Sequence, residues 1–106
     1  VRGIKGENRK ESSLVRQILW KLELVYRKDG FFYQTWVVRT NGAGQPDIVG
    51  VYKGRFVAIE VKNAKGRLSE EQIIFLNKLK QNGAVVGVAR SFEQAIDIVR
   101  KIDNEN

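Results

Sequence analysis

Asp47, Glu60 and Lys62 are the residues whose types and spacing can do chemistry together. Two runs rich in β-branched and aromatic residues, Asp47 to Lys53 and Arg55 to Lys62, meet at Gly54 and read as paired strands. With Lys53-Gly54 as a two-residue turn, Tyr52 pairs with Arg55, and paired residue numbers sum to 107. Asp47 and Glu60 then stand directly opposite each other, with Cβ atoms roughly 4.5–5.5 Å apart on one face. Lys62, two residues beyond Glu60, shares that face. Two like charges held so close are destabilising unless something positive lies between them. Lys62 supplies part of that. A divalent cation supplies more, because Mg²⁺ prefers oxygen and commonly uses one or two carboxylates plus water. A cation so held lowers the pKa of its water and stabilises charge growing on a phosphoryl oxygen. A nearby ammonium can orient the attacking water. The plainer reading makes Asp47 and Glu60 ordinary surface acids beside Lys62. Glu-x-Lys alone is common, and Pro46-Asp47 can simply start a strand. The conjunction, in this order and separation, is more specific than either half.

The rest of the composition narrows the choice of chemistry. The chain has 106 residues, a length that suits one domain, 1–106, with its core over about 7–98. It contains no Cys and no His. Disulfides, thiol nucleophiles, Cys-ligated metals and imidazole general bases are therefore excluded. Lys and Arg number 19 against 12 Asp and Glu, a net charge of +7. Residues 1–30 carry net +4 and residues 31–68 another +4, while residues 69–106 carry −1. One positive face is expected, and such a face most often meets a polyanion, because neutralising phosphates releases counterions. Apolar runs fall far below the roughly 20 residues needed to span a bilayer. The first residues lack the apolar stretch of a signal peptide, so an intracellular setting is expected.

The elements that must position these groups follow from periodicity. Leu14, Val15, Ile18, Leu19, Leu22 and Val25 recur at spacings of three and four, predicting a helix from Asn8 to about Lys28. Asp29-Gly30 ends it. Phe32 to Thr40 reads as a strand, followed by a loop through Gln45. The hairpin comes next, then a loop from Asn63 to Leu68. Ser69 caps a helix to about Asn82 with Ile73, Leu76 and Leu79 facing inward. Ala84 to Ala89 is wholly apolar, as expected for a parallel strand buried on both faces. Ser91 caps a last helix whose stripe is Phe92, Ala95, Ile96 and Val99, and Asp103 to Asn106 are expected to fray. The order is α-β-β-β-α-β-α. An antiparallel meander with one right-handed parallel crossover gives a mixed sheet flanked by helices.

Other residues carry weaker signals. Lys65 and Arg67 lie on the loop just after Lys62 and are expected to meet phosphates. Arg39 lies near the entrance to Asp47, and Arg2, Lys5, Arg9 and Lys10 form a basic arm. Trp20 and Trp36 are expected in the core. Gly42 and Gly44 supply unusual backbone angles rather than a phosphate cradle, since the phosphate-loop spacing and its Lys are absent. Glu11 extends the apolar stripe of the first helix toward the core, with Glu7 one turn earlier competing for the same role, although the macrodipole alone favours an acid in an early turn. Ser69-Glu70-Glu71-Gln72 is a capping box, and Ser91-Phe92-Glu93-Gln94 has the same form.

Pro46-Asp47 followed by Glu60-Val61-Lys62 resembles the signature of the PD-(D/E)xK nucleases. Glu11, Gly44-Gln45-Pro46-Asp47, Glu60-Val61-Lys62 and Gly66-Arg67-Leu68-Ser69-Glu70-Glu71-Gln72 together resemble the VRR-NUC family, over roughly residues 7–98. The related RecB-like pattern has Tyr four residues after the Gln, where this chain has Leu76. The resemblance implies an α/β, restriction-endonuclease-like αβββαβα core and cleavage of DNA with Mg²⁺ or Mn²⁺. It implies metal ligation by Asp47, Glu60 and the carbonyl of Val61, with Glu11 near the metal and Gln72 at the active site. It also implies that Lys62 positions or activates water. Single-domain members of the family, mostly viral or bacterial, look like Holliday junction resolvases and tend to be homodimers; members within larger proteins prefer flaps. The expectation is a structure-selective endonuclease acting on branched DNA as a homodimer. Its alternatives are a flap- or end-specific nuclease and a non-catalytic DNA-binding module on the same scaffold.

Overall fold

The computed structural model describes residues 6–35 and 44–105, with side chains described from residue 11 onward. The described elements are α1 (Gly6–Tyr26), β1 (Gly30–Gln34), β2 (Ile48–Tyr52), β3 (Arg55–Val61), α2 (Glu70–Gln81), β4 (Val85–Ala89) and α3 (Phe92–Asp103). This is the expected order. The sheet runs β1-β2-β3-β4. The first three strands form an antiparallel meander, and β4 joins β3 in parallel after the α2 crossover.

The β2–β3 hairpin sets the register of the whole site. Tyr52 pairs with Arg55 and Ile48 with Ile59, so partners sum to 107 as expected. Lys53 and Gly54 both take positive φ, 51° and 80°. That is the two-residue turn whose twist matches the flanking strands. Lys53, a non-glycine residue in this conformation, donates through Nζ to Asp103 Oδ1 at 2.8 Å, and Tyr52 Oη donates to the same oxygen at 3.0 Å.

One face of the sheet holds the core. Val15, Ile18 and Leu22 of α1 and Ala95, Ile98, Val99 and Ile102 of α3 pack on Phe32, Ile48, Tyr52, Val57, Ile59 and Val61. Each fully buried Ile or Leu here contributes about 1.5–3 kcal/mol by leaving water. The opposite face bears Asp47 and Glu60. It also leaves Phe31, Tyr33, Val51 and Phe56 exposed.

Several expectations are corrected. Trp20 is 64% exposed rather than in the core, because Ile18 and Leu22 already fill the inward stripe. Val25 is also exposed, and α1 ends at Tyr26, whose ring packs edge-on against Tyr52. Trp36, Arg39 and Gly42, and the end of the expected strand to Thr40, lie outside the described residues; the described strand starts earlier, at Gly30. On α2 only Leu76 is fully buried. Leu79 is half-buried and Ile73 exposed, because the helix covers little beyond β4. β4 is parallel as expected but lies at the edge of the sheet, and its Val86, Gly87 and Val88 are half-buried rather than buried on both faces. The chain after α3 is tied down rather than frayed as far as Glu105, since Asp103 holds Tyr52 and Lys53, and Glu105 pairs with Arg55.

Candidate active site

The site forms where β2 begins and β3 ends. Thr35 steers the chain into β2: its backbone N–H donates to the Asp47 carbonyl at 2.9 Å, and its hydroxyl donates to the Pro46 carbonyl. Gly44, with φ 92°, passes so close to α2 that a Cβ there would lie 2.3 Å from the Glu71 carbonyl oxygen. Only glycine lets the loop before Pro46-Asp47 lie on the start of α2. Asp47 Oδ2 then accepts the backbone N–H of Val61 at 2.8 Å. One more step of the hairpin register sets Asp47 opposite Glu60.

Glu60 is 2% exposed, the one buried charged residue among the described residues. Its Oε2 accepts from Gln72 Nε2 at 2.9 Å and lies 3.9 Å from Lys62 Nζ. Its Oε1 is buried with no hydrogen-bond partner in the protein, and neither has Oε1 of Gln45, two residues before Asp47. Burial pushes the Glu60 carboxyl up to about 8, with the Asp47 charge adding to the rise and Lys62 opposing it. Burial also raises Asp47, against the pull of the Val61 N–H. Two half-desolvated acids side by side hold on to a proton. A cation between them would remove that cost. The orphaned Glu60 oxygen and an all-oxygen donor set fit a hard divalent ion such as Mg²⁺.

The sequence-predicted residues divide clearly. Asp47, Glu60, Lys62 and Gln72 come together. Gln72 makes two sets of contacts at once: its backbone N–H and Oε1 complete the capping box with Ser69, while Nε2 reaches Glu60. Glu11 stands close by, with Oε2 accepting the Asn63 N–H at 3.2 Å, and its charge raises both Asp47 and Glu60. No group of three or more acidic, His or Cys side chains among the described residues is arranged to hold a metal. Lys65 and Arg67 are exposed on the loop between β3 and α2. The side chains of Arg9 and Lys10, and all of Arg39, lie outside the described residues.

The family model that matches this chain is the VRR-NUC domain, over residues 12–93. The chain belongs to the VRR-NUC family. It is thereby a nuclease-type domain, with DNA as the substrate that such a domain suggests. A solved structure described as a VRR_NUC domain is similar in fold, with TM-score 0.64 at 20% identity, covering 92% of this chain and 98% of that one. No curated protein matches the chain. No helix among the described residues is long and apolar enough to cross a membrane.

Sequence reasoning missed Arg90 and Asn63. Arg90 Nη1 donates to the carbonyls of Asn63 and Gly66 at 2.6 and 2.7 Å. Asn63 Oδ1 accepts the N–H groups of Lys65 and Gly66 at 3.1 and 2.8 Å. The second was accessible in principle, because Asn turned back on its own backbone is a common loop device. The first needed the β3–β4 register, which places the residue after Ala89 beside Lys62.

Proposed function

We propose that this VRR-NUC domain is a divalent-metal-dependent, structure-selective DNA endonuclease that hydrolyses phosphodiester bonds, resembles a Holliday junction resolvase, and acts as a homodimer on branched DNA. The observation that carries the reading is buried Glu60 beside Asp47, with an orphaned oxygen and Lys62 at the rim, in a chain of net charge +7. Asp47, Glu60 and the Val61 carbonyl would hold Mg²⁺ or Mn²⁺, with Glu11 near it. When bound, such an ion supplies Lewis-acid polarisation of a phosphoryl oxygen and a more acidic water.

The chain's own groups do the rest. Gln72 fixes the rotamer of Glu60 by donating to Oε2. The ammonium of Lys62 orients water and offsets negative charge developing on the phosphate, the kind of preorganised stabilisation that lowers barriers most. Lys65 and Arg67, with Arg9, Lys10 and Arg39 as further candidates, bind backbone phosphates. A dimer suits a four-way junction, because an isologous pair presents two identical sites to two symmetric strands.

The test is cleavage of an end-labelled four-way junction with Mg²⁺ or Mn²⁺ and with chelator. Symmetric, metal-dependent nicks are expected, absent from Asp47→Ala and Lys62→Ala, both of which still bind the junction. Normal cleavage by either variant overturns the site. Cleavage of flaps in preference to junctions, by a monomer in sedimentation, turns the reading to a flap nuclease. Binding without cleavage of any DNA leaves a DNA-binding module.

A further inference from the structure

The loop between β3 and α2 joins Lys62 to Lys65 and Arg67, yet no side chain within it packs into the core. Its conformation is set by Asn63 within it and by contacts from outside. Lys62 N–H donates to the Ala89 carbonyl at 3.1 Å, which brings Arg90 alongside. The Arg90 backbone is fixed in turn, since its N–H donates to Gln94 Oε1 at 2.7 Å. From that anchored position one guanidinium nitrogen bridges the Asn63 and Gly66 carbonyls. The Asn63 side chain closes the same turn from its amide side, and Glu11 accepts the Asn63 N–H. Gly66 is thereby pressed into the site: a Cβ on it would lie 2.8 Å from Glu11 Oε2 and 3.2 Å from Lys62 Cδ.

We propose that Arg90 is a positioning residue of the nuclease site, which holds the Asn63–Gly66 turn against Lys62 and Glu11. The proposal rests on the nuclease reading above. Among the described residues the Arg90 guanidinium is bonded only to backbone carbonyls of the turn, so it acts through Lys62 and Glu11. Guanidinium suits the task, because its donors are fixed in one plane. Without it, two carbonyls lose a charged donor and the Gly66 backbone is free to leave the Lys62 stem. The position of the ammonium over the reacting phosphate then spreads, and the loss falls on the chemical step more than on DNA affinity.

The experiment compares wild type, Arg90→Ala and Arg90→Lys by amide hydrogen exchange, single-turnover cleavage and junction affinity. In Arg90→Ala, exchange of the Lys65 and Gly66 amides is expected to rise about tenfold while the α2 and α3 interiors stay unchanged. The cleavage rate falls about tenfold with affinity changed less than about threefold. Arg90→Lys, which keeps the charge, and added guanidinium ion with Arg90→Ala each recover part of the rate. Unchanged exchange in Arg90→Ala overturns the proposal, as does a wild-type cleavage rate in that variant. A rate lost in step with affinity, and not recovered by guanidinium, overturns it too and makes Arg90 a DNA contact. If wild type itself cleaves nothing, the nuclease reading fails, and the exchange arm alone decides whether Arg90 sets the turn.

Discussion

α2 and α3 begin with the same local sequence form and put it to different uses. Ser69-Glu70-Glu71-Gln72 and Ser91-Phe92-Glu93-Gln94 each place a Ser hydroxyl under the backbone N–H three residues on. In α2 the Gln closes a full capping box on Ser69 and still has an amide N–H pair left, which reaches Glu60. In α3 the Gln oxygen passes Ser91 and accepts the Arg90 N–H instead. The cap is therefore a local property, while the destination of the spare Gln atoms is set by what the sheet presents to each helix. α2 starts beside the buried end of β3, and α3 starts where β4 has just left the sheet.

The largest break in this comparison comes from Gln72→Glu. Glu caps a helix as well as Gln does, but the change takes a donor away from buried Glu60, so a loss of about 1–3 kcal/mol is expected in urea. The new carboxylate faces Glu60 with no donor to offer. Cleavage is expected to fall about a hundredfold, the effect of removing a positioned hydrogen bond from a desolvated group. Activity within threefold of wild type would reduce Gln72 to a cap. Gln94→Glu, the matching change on α3, retains the oxygen that accepts from Arg90 and is expected to cleave within about threefold of wild type.

Glu60 itself gives the next effect, on stability rather than rate. Its carboxyl is raised in the folded chain, so its favourable contribution is complete below its unfolded value. That contribution is lost as pH rises through the folded one, between about 4.5 and about 8. In chelator, Glu60→Gln should therefore gain in melting temperature over wild type across that window, with the gap widening as pH rises. A gap that stays constant with pH would show that the acid is not held against its ionisation. A smaller effect is expected at Gly66. Gly66→Ala forces aside the tip of Glu11, which is cheap for the fold because that side chain is flexible. Cleavage should drop about tenfold, with a melting temperature near wild type. A wild-type rate would remove the Glu11–Gly66 contact from the site.

Much of this arrangement was legible in the chain itself. Lys53-Gly54 fixed the hairpin register, and the register alone faced Asp47 with Glu60. The Ser-x-x-Gln pattern located the starts of α2 and α3. Val57, Ile59 and Val61 alternate with Glu60 in the chain, the pattern of a strand with one apolar face, and the structure buries Glu60 on the other face as well. Trp20 misled because composition favours a buried Trp, whereas the α1 stripe was already filled by Val15, Ile18 and Leu22. β4 misled because an apolar run reads the same whether both faces of the strand are fully covered or, as at this sheet edge, only partly covered. Arg90 was invisible for a different reason. Its partners are backbone carbonyls 27 and 24 residues away, and backbone acceptors leave no mark in the sequence.

The smallest effects sharpen the comparison most. Ser69→Ala and Ser91→Ala each remove one side-chain acceptor at a helix start, and each is expected to cost about 1 kcal/mol in urea unfolding. On stability the two should be nearly indistinguishable, because the caps are locally alike. On cleavage they should part. The Ser69 hydroxyl holds the Gln72 backbone N–H, while the Gln72 side chain accepts the Ser69 backbone N–H and donates to Glu60, so Ser69→Ala loosens the helix start that carries the side chain holding Glu60. A loss of about threefold in rate is expected there, and none in Ser91→Ala beyond any unfolded fraction. Equal rates in the two variants would mean that Glu60 holds Gln72 rather than the reverse, and that the cap and the site on α2 are neighbours without being coupled.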